Sequence, residues 1–182
     1  RIWKKTEMTN STEKVLLIVD FGSQFTQLIA RRLRELSVYC EIFPSTKVSV
    51  DFIHKLKPLG IILSGGPASV LEKISPKISV DIYDLEIPIL GICYGQQVMI
   101  SQLGGKINRS KDAAEFGRAY VQNTEKNIDF LEGWFENGQE EVWMSHGDHV
   151  SEIPKSFRIY GFSSKAPFAI TANLNKKLYA VQ

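Results

Sequence analysis

The chain has 182 residues, 43% of them hydrophobic, with 22 lysines and arginines against 20 acidic residues and a formal net charge of +2. That size and apolar content suit one domain with a substantial core, while the scattered basic residues argue against a nucleic-acid footprint, which would gather them on one face. No run approaches the ~18 apolar residues of a membrane span, and two cysteines in different settings, Cys40 and Cys93, do not make a disulfide framework, so a reducing, cytoplasmic home is expected.

Residues 1–14 are polar, and Met8 followed by Thr9, Asn10, Ser11 and Thr12 reads like a natural start, so this segment is expected to be a disordered leader with residues 1–7 disordered or extraneous. One α/β domain is then expected over 15–182. The apolar run Val15 to Phe21 predicts a strand buried on both faces, ending at Asp20-Phe21-Gly22-Ser23. A helix is predicted from Gln24 to Leu36, capped by Ser23, with Phe25, Leu28, Ile29, Leu33 and Leu36 on its apolar face.

Further strands are predicted over Val38–Phe43 and Gly60–Leu63, with a short helix over Val50–Leu56 between them. Another helix is expected near Pro76 to Tyr83. A fourth strand, Pro88 to Ile92, runs straight into Cys93 and a helix from Gly95 to Leu103. Strand and helix alternate, as in a doubly wound, mostly parallel sheet. After Gly104 the pattern shortens, and Ala119–Gln122, Glu141–Met144, Arg158–Ser163, Phe168–Ala172 and Leu178–Val181 read as antiparallel or mixed strands added to the parallel core.

Three segments carry chemistry. Cys93 sits at a sharp strand-to-helix turn between Gly91 and Gly95, the logic of a nucleophile elbow. Its sulfur should lie at the positive end of the following helix, which favours thiolate. A free cysteine is more often a small buried hydrophobe, and Cys40, in an ordinary strand without flanking glycines, is read that way. Ser64-Gly65-Gly66-Pro67 also follows a buried strand, so its loop should open at the same sheet edge as Cys93. Gly66 and the amide of Tyr94 are the candidate oxyanion donors, although a Gly-Gly-Pro triplet is more often a simple turn. No Gly-Lys-Ser or Gly-Lys-Thr follows these glycines, so a phosphate-binding loop is not indicated. The third segment, Trp143-Met144-Ser145-His146-Gly147-Asp148-His149, places polar groups at a strand end.

Gly91-Ile92-Cys93-Tyr94-Gly95-Gln96-Gln97, Ser64-Gly65-Gly66-Pro67 and the closing Tyr179-Ala180-Val181-Gln182 together resemble class I glutamine amidotransferases in order and spacing. The longer strings from Val19 to Arg32 and from Trp143 to Asp148 narrow the resemblance to amidotransferase units of purine-nucleotide synthesis. A flavodoxin-like fold is thereby implied, with a mostly parallel central sheet flanked by helices and extended by antiparallel strands. The resemblance also implies that Cys93 is the nucleophile, that Gly66 and Tyr94 supply oxyanion-hole amides, and that Gln97, Ser145, His146, Gly147 and Asp148 bind glutamine, with Asp148 on its α-ammonium.

Relatives of this kind carry their catalytic histidine and glutamate in a Phe-His-Pro-Glu motif directly after a strand ending in Val-Gln, so both are expected beyond Gln182. His54, on a surface helix, and His146 and His149 do not match that position. The implied partners are glutamine, a synthetase domain or subunit that carries ATP and Mg, and a second copy of the complete protein; no cofactor or metal is expected on this domain. Two rival readings are a cysteine hydrolase on a similar fold and a non-catalytic glutamine-binding module.

Overall fold

In a computed structural model of the chain, residues 14–109, 114–125 and 128–182 are described. The expected leader therefore lies outside the described residues, save for Lys14. The chain builds β1 (Leu16–Asp20), α1 (Thr26–Glu35), β2 (Cys40–Pro44), α2 (Val50–Leu56), β3 (Gly60–Leu63), β4 (Ile89–Ile92) and α3 (Tyr94–Gln102). There follow β5 (Lys106–Arg109), β6 (Glu115–Asn123), β7 (Gln139–His146), β8 (Asp148–Glu152), β9 (Arg158–Phe162), β10 (Ile170–Asn173) and β11 (Leu178–Val181).

Nine strands form one sheet in the order β2-β1-β3-β4-β11-β10-β9-β6-β7. The first five run parallel, with β11 lying in parallel register against β4 from Leu178 opposite Ile89 to Val181 opposite Ile92. From β11 outward the pairing is antiparallel through β10, β9, β6 and β7. The expected mostly parallel sheet with antiparallel additions is therefore present, and β5 with β8 makes a separate two-stranded ribbon that the sequence patterning does not reveal.

The continuous apolar run of β1 is explained by cover on both faces. Leu17 and Val19 pack with Leu63, Ile89, Met99 and Leu178 on one side, and Ile18 packs with Ala30, Cys40 and Ile62 on the other. α3 is buried from Tyr94 through Ile100, so it runs through the core rather than over it. A third cluster, including Val121, Met144, Tyr160 and Ile170, fills the antiparallel half.

Three local expectations are corrected. α1 buries Thr26 and Ala30, with Ile29 and Leu33 partly covered, while Phe25, Leu28 and Leu36 are exposed. Its inward stripe is thus rotated toward small residues, which let the helix approach the sheet closely. Ser23 does not cap that helix: its Oγ accepts the N–H of Phe25 at 3.0 Å in a local turn before the first helical residue. The helix expected near Pro76 to Tyr83 is a short 3₁₀ turn over Val80–Asp84.

Candidate active site

Cys93 stands between β4 and α3 with φ +51° and ψ −110°, a left-handed conformation that costs a residue with a Cβ about 1–3 kcal/mol. Two glycines permit the turn. A Cβ at Gly91 would lie 2.7 Å from the Gly95 carbonyl oxygen, and one at Gly95 would lie 2.2 Å from the Leu63 carbonyl oxygen. The Cys93 N–H donates to the Val181 carbonyl at 2.8 Å, which ties the elbow to β11.

The thiol itself differs from the sequence expectation. Burial pushes its pKa up, and the opposing influence is a hydrogen bond with the Gln182 side chain. Desolvation outweighs the Gln182 hydrogen bond, so burial favours the thiol and a base is needed to make Cys93 a nucleophile.

The loop after β3 faces the elbow as expected. A Cβ on Gly65 would sit 3.7 Å from the Cys93 Cβ, in ordinary contact, whereas one on Gly66 would sit 2.7 Å from the Phe21 carbonyl oxygen, so Gly66 does not admit a side chain. Ser64 anchors this loop beneath α1: its Oγ accepts the Phe21 N–H at 3.3 Å and lies 3.1 Å from the Thr26 hydroxyl. Tyr94, the first residue of α3, packs its ring edge-on to Phe21 at 5.3 Å between centroids and donates its hydroxyl to the Pro76 carbonyl at 2.7 Å.

Gln97 and Asp148 are brought together. The Gln97 Nε2 donates to the Asp148 main-chain carbonyl and to Gln182 Oε1, both at 3.1 Å. The buried Asp148 carboxylate is itself engaged: Arg109 Nε donates to Oδ1 at 2.6 Å, and the Ser69 hydroxyl donates to Oδ2. Burial alone would raise the Asp148 pKa, but the Arg109 and Ser69 hydrogen bonds outweigh it and hold the carboxyl below its ordinary range. A hydrogen-bonded path thus leads from Cys93 through Gln182 and Gln97 to the main-chain carbonyl of Asp148.

The remaining predicted residues divide. Gly147 makes the turn between β7 and β8. Ser145 lies on the exposed face of β7 beside Trp143, whereas His146 points to the opposite, buried face. There His146 Nε2 sits 3.6 Å from Glu115 Oε2, too far for a full hydrogen bond, and Glu115 accepts the Ser163 hydroxyl at 3.0 Å. Burial lowers the His146 pKa, with Glu115 opposing, so the imidazole is held neutral. His54 is exposed on α2, and His149 faces Asn108 across the β5–β8 ribbon.

Ser69, Arg109 and Gln182 were not singled out for these contacts from sequence. Arg109 meets Asp148 only because the two are directly opposed in the β5–β8 ribbon, and Ser69 reads as an ordinary loop serine until the fold closes.

The chain belongs to the class I glutamine amidotransferases: the model of that family, described as glutamine amidotransferase class-I, matches residues 17–182. Among curated proteins, it is 59% identical over 175 residues to the glutamine-hydrolysing GMP synthase of Ruegeria sp. (strain TM1040), covering 96% of this chain and 34% of that protein. The GMP synthase of Dinoroseobacter shibae is 55% identical, with the same coverage of 96% and 34%. The chain therefore spans about a third of the length of these relatives. Among solved structures, a provisionally assigned GMP synthase subunit from Thermoplasma acidophilum superposes with a TM-score of 0.75 at 25% identity, over 94% of this chain and 84% of that one. A glutamine amidotransferase from Thermotoga maritima shares the fold with a TM-score of 0.68 at 19% identity, over 94% and 76% of the two chains.

Proposed function

We propose that the chain, over 15–182, is the glutamine-hydrolysing unit of a GMP synthase. The observation that carries this reading is the Cys93 elbow connected through Gln182 and Gln97 to the main chain of Asp148, whose carboxylate is held separately by Arg109 and Ser69. A nucleophile at one end and a fixed carboxylate at the other suit a substrate with an amide at one end and an α-ammonium at the other. The identities of 59% and 55% to GMP synthases support the particular assignment.

In this reading the Cys93 thiol gives its proton to a histidine in residues following Gln182, and the sulfur attacks the side-chain amide carbon of glutamine. The N–H groups of Gly66 and Tyr94 receive the oxyanion. The histidine returns the proton to the amide nitrogen, the C–N bond breaks, and ammonia departs from a glutamyl thioester. Water then attacks the thioester carbon, releasing glutamate and restoring the thiol. Placement of the base beyond Gln182 is supported by β11, which carries the chain to the elbow, where the Val181 carbonyl accepts the Cys93 N–H at 2.8 Å. Asp148 binds the α-ammonium, and Gln97 with the main chain of Ser145, His146 and Gly147 shapes the amino-acid end of the pocket, since the Ser145 and His146 side chains lie on opposite faces of β7.

The ammonia would be consumed by a synthetase portion that aminates ATP-activated xanthosine monophosphate to GMP. ATP and Mg would belong to that portion. No helix among the described residues is long and apolar enough to cross a membrane. A cytoplasmic homodimer completes the reading.

The test is Cys93→Ala in the full-length protein. Glutamine-dependent GMP formation should be lost while formation driven by added ammonium persists; retention of the glutamine-dependent reaction would remove Cys93 from the mechanism.

A further inference from the structure

Ser69 lies two residues past the Ser64–Pro67 loop and is 3% exposed, yet it belongs to no motif that the activity requires. Its Oγ accepts the Leu71 N–H at 3.2 Å, which turns its single proton toward Asp148 Oδ2. From the opposing strand Arg109 donates Nε to Oδ1 at 2.6 Å and also reaches Oδ2 with Nη2 at 3.4 Å. Asp148 is therefore gripped from two sides, by the loop that faces Cys93 and by β5. Its main-chain carbonyl is held by Gln97. A carboxylate fixed in this way does not have to lose rotamer freedom when a cation arrives, so its full interaction is available to the ligand.

We propose that Ser69 is a positioning residue, which orients the Asp148 carboxylate and thereby sets the preference of the site for an amide that bears an α-amino group. The inference rests on the reading of Asp148 as the α-ammonium partner. Arg109 is the charged partner of the carboxylate, with 58% of its side chain exposed so that solvent screens it, whereas Ser69 is the buried one. Ser69 is uncharged and buried, so its removal changes the orientation of the carboxylate without changing the charge of the site.

The experiment compares glutamine with glutaramate, the same amide without the α-amino group, as kcat/KM for amide hydrolysis by the full-length enzyme. Four forms are measured: unchanged, Ser69→Ala, Asp148→Asn and the double variant. Ser69→Ala is expected to lower the preference for glutamine about threefold to tenfold, chiefly through the KM for glutamine. In the Asp148→Asn background the same change should have no further effect on the preference, since a residue that acts through Asp148 has nothing left to act on. An equal loss in both backgrounds, or no loss in either, overturns the role of Ser69 while leaving Asp148 in place. A preference untouched by Asp148→Asn overturns both. Should Ser69→Ala fold poorly, Ser69→Cys keeps the volume with a weak donor; it is expected to give an intermediate loss that again vanishes with Asp148→Asn, and a loss that persists there rejects the proposal.

Discussion

The α-carbon of Gly95 packs directly beneath the carbonyl of Leu63, so closely that a Cβ would stand 2.2 Å from the oxygen. This contact lets α3 start against the end of β3 and so brings the Cys93 turn beside the Gly65-Gly66 loop. Gly95→Ala should force the helix away from the sheet and destabilise the fold by about 1–3 kcal/mol, measured by urea denaturation. An unchanged midpoint would mean that the elbow tolerates a wider approach than the geometry allows.

Cys93 should behave as a sheltered thiol. Alkylation by iodoacetamide, followed against pH on this chain, is expected to show a midpoint above that of an unhindered cysteine, because burial raises the thiol pKa more than Gln182 lowers it. Cys40, at 2% exposed, should not compete for the reagent. A midpoint below the unhindered value would show that the α3 terminus outweighs desolvation.

His146 makes stability depend on pH. Its folded pKa lies below the ordinary value of 6.5 because burial disfavours the cation. The unfolded chain therefore binds the proton more readily, so the contribution is present above 6.5 and is lost as pH falls through the folded value. The slope is at most about 1.4 kcal/mol per pH unit. His146→Gln should flatten the dependence of the urea midpoint on pH below neutrality, and an equal slope in both proteins would assign it to other groups.

Leu178 is fully buried in β11, between β4 and β10. Leu178→Ala should cost about 2–5 kcal/mol, again read from urea denaturation; a loss comparable to that of an exposed leucine such as Leu174 would contradict the central placement of the strand.

Much of the parallel half was legible because its strands are covered on both faces and read as unbroken apolar runs. α2, β3 and β11 fall at their expected boundaries. α1 was placed correctly but turned wrongly, since periodicity counts large apolar residues and its contact with the sheet is made through Thr26 and Ala30. The β5–β8 ribbon was missed because Lys106–Arg109 buries only Ile107 and so carries little hydrophobic signal. That omission hid the Arg109–Asp148 pair. The geometry of the elbow was readable from Gly91 and Gly95, whereas the resting state of the thiol was not, because it depends on how deeply the surrounding core encloses the sulfur.

β11 occupies the middle of the large sheet, yet it is made long after β4, the neighbour with which it runs parallel. During synthesis the edge of β4 must therefore wait, with its amides and carbonyls unpaired, while β5 through β10 emerge. A nascent chain at that stage presents an open apolar edge of the kind that recruits chaperones or pairs with another copy of itself. Closure of the sheet and anchoring of the Cys93 amide are then one event, so the thiol acquires its fixed position only after the other strands of the sheet have been made.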